Sequence, residues 1–414
     1  MPIRLAVAVL VCLAAQAALG ETYYVNVQTG SDENAGTSVE APWASLARAN
    51  RAVAPGDTVA VAAGVYKDSQ IAPAQSGTAE KRITYQAADG ALPEVTGGSD
   101  GSIVNLRNRS YVTVRGFKIH SPAIHDWIVN MSGEGSQHNR IENCDVSDPE
   151  GYAPIVMNEG ASYNEVTGCT VHDTGHADEQ SGDCIVVNSG GHHNTIRGNK
   201  CYNGAHSQIL ILNDSKYNIV ADNDLYATDK AWAGAGVNVV RGADNNTVTG
   251  NRIHDLGYAT DQKCGVQIDS ADNTIAHNIV YNVGAFGISL QAMEFRGQQQ
   301  AARGNLVANN TIYNSGRQGL MMVSKRQFIA GDNRFANNIV MGQPAAWDGF
   351  NAWVMAIDTY HLDEQKGPGE WFGNVFLNNI FFHGRPGESN MVLYVHKGPA
   401  RTYSIGELEA AYPA

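Results

Sequence analysis

Five cations stand just beyond short apolar runs in the second half of the chain: Lys216, Arg241, Arg296, Lys325 and Arg326. Asn188, Asn213, Asp214, Asp269 and Glu294 occupy similar exits. The chain carries a formal charge of −13, so this basic stripe is a local departure and suits an anionic ligand. The same charge argues against nucleic acid as a partner. Two chemistries are open to such a wall. Arg or Lys can neutralise a carboxylate and stabilise charge that develops beside it, while a Lys, His or Tyr of tuned pKa moves a proton. Alternatively, Asp269 and Glu294, on adjacent repeats, could flank a glycosidic bond if held roughly 5–10 Å apart. The plain competing reading is a set of solvated turns that carry Lys and Arg for solubility.

These residues need a frame that returns to the same side at a fixed interval, and the sequence supplies one. Segments NRIENCDV (139–146), NEVTGCTV (164–171), NTIRGNKC (194–201), NIVADNDL (218–225), NTVTGNRI (246–253), NTIAHNIV (273–280), NLVANNTI (305–312), NRFANNIV (333–340) and NVFLNNIF (374–381) align beneath one another. Asn opens each, and five residues later stands Asn again, or Cys144 and Cys169 in the first two. VTVRGFKI (112–119) is an earlier coil with Phe117 at that place. A repeat of about 28 residues with alternating apolar positions is a β-solenoid signature. The expected fold is all-β, a single-stranded right-handed parallel β-helix. Stacked Asn side chains should form hydrogen-bonded ladders, with Asn itself taking left-handed geometry at a bend. A strand ahead of each Asn-opened segment (APIVMN, CIVVNS, ILILND, GVNVVR, GVQIDS) should build the long sheet whose exits carry the cations. One coil step is about 4.8 Å, so neighbouring exits can flank one ligand unit.

The loop HDTGHADEQSGD (172–183) gathers His and carboxylates. Asp178, Glu179 and Asp183 could bind Ca²⁺, and the histidines Zn²⁺. His172, however, lies three residues past a ladder position, where other coils place Tyr202, Tyr226, His254, Tyr281 and Tyr313. A stacked aromatic column is expected there. His192 and His193 adjoin a ladder Asn and read as turn residues.

Residues 1–20 read as a secretory signal, with Arg4, an apolar run from Leu5 to Leu19 and a small-x-small site at Ala18-Leu19-Gly20. The mature chain, 21–414, is then one β-helix domain, secreted or periplasmic, with no membrane insertion. The coils span about 57–400. APWASLARANRAVA (41–54) should be an amphipathic capping helix with Trp43, Leu46 and Ala49 on one face, and 403–414 a second short cap. Five cysteines remain after the signal, an odd number that excludes a complete disulfide framework. Cys144 and Cys169, in adjacent coils, could be bridged or be two buried thiols.

YYVNVQTGSDENAGTSVEAPWASLARANRAVAPGDTVAVAAGVYKD (23–68) and GTAEKRITYQAADG (77–90) resemble the opening of extracellular β-helix polysaccharide lyases. ILILNDSKYN and GVNVVRGAD resemble polysaccharide lyase family six, the alginate lyases and chondroitinase B. That resemblance implies Lys216 as base and Arg241, at the equivalent exit one coil later, as acid or charge stabiliser. It implies β-elimination of an anionic uronate polymer, alginate first, then pectate or a glycosaminoglycan; the expected state is a monomer. Asn188, Asn213, Asp269, Arg296, Lys325 and Tyr258 would bind substrate. Trp232, Phe286, Trp347 and Trp353 could stack on sugars in the loops. The family's calcium carboxylates fall where this chain has Ile209, Leu210, Ile211 and Leu212. A β-helix glycoside hydrolase on Asp269 and Glu294, a C5-epimerase (without the usual Asp-Pro-His motif) and a non-catalytic carbohydrate-binding solenoid are the other readings.

Overall fold

The computed structural model describes residues 20–97, 101–120, 127–148, 152–175, 182–228, 234–257, 264–295, 298–326, 330–342, 354–362, 373–382, 392–395, 401–404 and 407. The expected repeat folds as a right-handed parallel β-helix. Successive coils contribute strands to three sheets of 13, 12 and 13 strands, numbered here in that order, the third count including two antiparallel strands. Pairing between coils is parallel, for example Val187↔Ile211 and Ile211↔Val239 in the third sheet. Antiparallel exceptions are Gln298–Ala301 against Ile288–Phe295 and Arg401–Tyr403 against Val392–Val395. Tyr403 therefore ends a strand, and most of the expected second cap lies outside the described residues.

Period-2 alternation sends one set of side chains inward. Ile141, Val166, Ile196, Val220, Val248, Ile275, Val307 and Phe335 form one such stack, all buried. Phe117 is buried at its ladder position, as expected. Two Asn columns run beside the apolar stacks. Asn223 is representative: its N–H donates to Asn251 Oδ1 (3.0 Å), and its Nδ2 donates to Ile196 O (3.0 Å) and Asn251 Oδ1 (2.9 Å). A buried amide with every arm partnered costs little and locks the coil register. The left-handed residue is not the ladder Asn but the one before it. Tyr217, Asn245, Asp222 and His277 all have φ between 56° and 60°. The bend thus falls one residue earlier than expected, which leaves the Asn amide free to reach across coils. Cys144 and Cys169 are free, buried thiols within the same column.

The helix at the N-terminal end is shorter than the sequence suggested, Leu46–Ala52. Ser45 caps it, its Oγ accepting from Arg48 N at 3.1 Å, and Leu46 and Ala49 are buried. Trp43 precedes the helix: it bridges Val25 and stacks on Tyr23 at 4.4 Å. The cap therefore combines a helix face with an indole set in extended chain.

Candidate active site on the third sheet

The outer face of the third sheet changes character along the axis. Strand register places Val156, Val186, Leu210, Asn238, Gln267 and Ser289 in one outward column. Two residues further on runs Asn158, Asn188, Leu212, Val240, Asp269 and Gln291. Over the earlier coils the middle of this face is apolar, Val156, Val186, Leu210 and Leu212 packing together with Ala153, with Asn158 and Asn188 at its exit edge. Over the later coils it turns polar.

Asp269 is the focus of the polar part. It leaves the strand Val266–Ile268, its N–H donates to Val239 O at 2.9 Å, and the residue is 5% exposed. Gln267 Nε2 lies 3.2 and 3.3 Å from its two carboxylate oxygens. Burial pushes this carboxyl up to about 7, against the opposing pull of the Gln267 amide and the Arg241 charge. One amide and one nearby cation do not replace the water that burial removes. Asn238, one coil back and 6% exposed, has its Oδ1 without a hydrogen-bond partner. On the other side Gln291 Nε2 donates to Ser289 Oγ at 3.0 Å.

The predicted cation pair is placed differently from expectation. Ile211↔Val239 pairing and the Asn218–Asn246 rung bracket equal lengths of chain. Arg241 therefore stands opposite Asn213, and both adopt left-handed φ, 57° and 51°. Lys216 stands opposite Asp244, not Arg241, and its Nζ lies 3.0 Å from Asp244 Oδ2. The Asp244 hydrogen bond raises the Lys216 pKa and so favours its protonated form. Asn213 Nδ2 donates to Asn188 Oδ1 at 2.8 Å, which ties two predicted binding residues into one edge.

Other predicted residues divide. Asp183 is 1% exposed, and its Oδ1 takes His206 Nδ1 at 2.8 Å and the Ser207 hydroxyl. That carboxylate orients a histidine; among the described residues no group of three His, Cys, Asp or Glu side chains could hold a metal. Asp178, Glu179, His176, Tyr258, Arg296, Trp232, Trp347 and Trp353 lie outside the described residues. Lys325 lies on Leu320–Arg326, and Glu294 on Ile288–Phe295. Register places Gln291 opposite Asp269, so Glu294 lies three residues beyond, about 10 Å along the strand. The strand ahead of Lys216 offers Ile209, Leu210 and Ile211, which do not fit a family-six calcium ion. His172 stacks on Tyr202 at 4.8 Å, and its ring nitrogens lie 3.0 and 2.7 Å from Asp145 and Asp173. The aromatic column continues through Tyr226, His254, Tyr281 and Tyr313, as the spacing indicated.

Sequence reasoning missed Asn238, Gln267 and His206. The first two were legible as polar residues at alternate places of otherwise apolar strands. His206 carried no such signal, because its partner comes from the preceding coil.

Residues 23–204 match the family model described as the Pel9A-like, right handed beta helix region. No curated protein matches. Among solved structures, a GH136 lacto-N-biosidase from Eubacterium ramulus is similar with TM-score 0.60 and 15% identity, over 88% of this chain and 68% of that one. A PL6 family polysaccharide lyase from Pseudopedobacter saltans gives TM-score 0.54 and 15% identity, over 82% and 91%. The A-module of an Azotobacter vinelandii mannuronan C-5 epimerase gives 0.51 and 13%, over 80% and 91%. These similarities establish the right-handed β-helix that the chain shares with all three.

Proposed function

We propose that this chain is a polysaccharide lyase that cleaves a uronate-containing polymer by β-elimination at the polar end of the third sheet. The observation that carries the reading is Asp269, a buried carboxyl on the outer face of the sheet, held among the described residues by Gln267 alone and set near the Arg241 charge, where burial pushes it up to about 7. Elimination has to offset the uronate carboxylate charge, remove the C5 proton and release O4. Arg241 and Asn213, side by side on the exit edge, receive the carboxylate and stabilise the enediolate charge that spreads onto it. Ionised Asp269 takes the C5 proton. The electron pair forms the C4–C5 double bond, the C4–O4 bond breaks, and water protonates the leaving oxygen. Lys216 adds positive charge from across the turn while Asp244 holds it protonated.

This departs from a Lys base, and the Lys216–Asp244 pair is the reason. The similar solved β-helices include a hydrolase, a lyase and an epimerase, so the assignment rests on side chains and not on shape. The signal-like sequence at 1–20 suits action on a polymer outside the cytoplasm by a secreted or periplasmic monomer. A glycoside hydrolase is the second reading, since a carboxyl near 7 is also a competent general acid. Incubation with alginate, pectate and glycosaminoglycans, in that order, separates the two. Ultraviolet absorbance of an unsaturated uronate end supports elimination. New reducing ends without that absorbance support hydrolysis, and no product from any polymer overturns the proposal.

A further inference from the structure

A second aromatic column runs along the turn between the third and first sheets. Tyr111, His138, Tyr163, His193 and Tyr217 stack in succession, with ring centroids 4.7, 5.0, 4.9 and 5.1 Å apart. All five hold left-handed φ between 55° and 58°. The next two residues in the column, Asn245 and Asp272, keep that conformation (φ 60° and 56°) but bring no ring. The stack therefore stops at Tyr217. Tyr163 has rings on both sides, His138 and His193. Tyr217 has His193 on one side, faces Asn245 on the other, and is 52% exposed.

The gap after Tyr217 is also the one spanned by the Lys216–Asp244 pair at 3.0 Å. An aromatic face beside a cation and a carboxylate is complementary to a sugar ring. The ring's axial C–H groups lie against the π-face, and its hydroxyls donate to the carboxylate and accept from the ammonium. A pyranose is about as thick as one coil step, so it would take the place of a sixth rung. Asp244 selects hydroxyls over a second carboxylate at this position.

We infer that the Tyr217 ring face, with Lys216 and Asp244, is a stacking subsite for one pyranose of a polysaccharide chain. That sugar sits one turn away from Asp269 and presents hydroxyls here, while a neighbouring unit presents its carboxylate to Arg241. The subsite's place in catalysis rests on the lyase reading, but its binding does not.

Calorimetric titration with tetrasaccharides of alginate, polygalacturonate and neutral xylan tests this without turnover. Tyr217→Ala is expected to weaken the tightest-bound tetrasaccharide about tenfold, and Tyr217→Phe or Tyr217→Trp to change it less than about threefold. Tyr163→Ala, which breaks the same column where no ring face is open, should leave affinity unchanged. Wild-type affinity in Tyr217→Ala, equal losses in Tyr163→Ala and Tyr217→Ala, or no binding of any tetrasaccharide by the wild-type protein would each overturn the subsite. Tyr217-dependent binding without elimination of any polymer would sink the lyase reading and leave the subsite standing. Elimination with the KM of Tyr217→Ala unchanged would do the reverse.

Discussion

Two of the regions that bury polar side chains in this solenoid treat them in opposite ways. In the Asn columns beside the first sheet, Asn310 sends its N–H to Asn338 Oδ1 and its amide to Ile275 O and Asn338 Oδ1, at 2.9 to 3.0 Å. On the outer face of the third sheet, Asn238 Oδ1 has no partner, and both oxygens of Asp269 share one Gln267 amide. Burying a polar group without partners costs on the order of 1–3 kcal/mol, so such a group persists where something else is gained. A satisfied buried amide is a structural part. An unsatisfied one, beside a buried acid and an arginine, supports the site proposed there. The contrast has exceptions: Asn273, a ladder residue, leaves its Nδ2 unpartnered, and Asn158 Oδ1 is unpartnered on the same outer face four coils before Asp269.

The sharpest way to break this comparison is to exchange loss of activity for loss of stability. Asp269→Asn should lower kcat by about a thousandfold while the circular dichroism and melting temperature stay at or above wild type. Arg241→Ala should cost about a hundredfold in kcat/KM with the fold intact. Asn310→Ala should do the opposite. It removes about 2–3 kcal/mol from unfolding, read by denaturant titration, and leaves kcat of the folded fraction near wild type. If Asn310→Ala abolishes turnover in the folded fraction, or Asp269→Asn unfolds the protein, the division between the two regions fails.

Asp269 also makes a stability prediction of definite sign. Its folded pKa, about 7, exceeds the ordinary 3.8, so the native state holds this proton more tightly than the unfolded chain does. Stability from this group is greatest below about pH 4 and falls as pH rises toward 7, by at most about 4 kcal/mol. Asp269→Asn should flatten that part of the curve in denaturant titrations at stepped pH. The smallest effect belongs to Lys216→Ala, about tenfold in kcat/KM, because Asp244 already offsets much of its charge. A complete loss there would restore Lys216 as base.

Much of the fold was legible from Asn spacing alone. A buried amide that must meet its copy in the next coil enforces one register, and that regularity survives in sequence. The candidate site was legible only in part. Arg241, Asp269, Asn188 and Asn213 show themselves as polar exits from apolar strands. Lys216 was misplaced because strand ends were counted forward. Counted back from the ladder, Lys216 and Asp244 each stand two residues before their Asn, Asn218 and Asn246, and so must face each other. His206 and Asp183 meet through strand pairing, Asp183↔Ser207, that no local pattern reveals. The pKa of Asp269 follows from burial on an outer face, which depends on the surrounding fold and not on neighbours in sequence.

The pH dependence of kcat/KM on the polymer that is cleaved tests the central claim most directly. With ionised Asp269 as base, activity rises with pH through an inflection near 7, and Asp269→Asn loses that limb with its activity. Activity that falls through the same range would make Asp269 a general acid. A flat profile, or wild-type turnover in Asp269→Asn, would contradict the account.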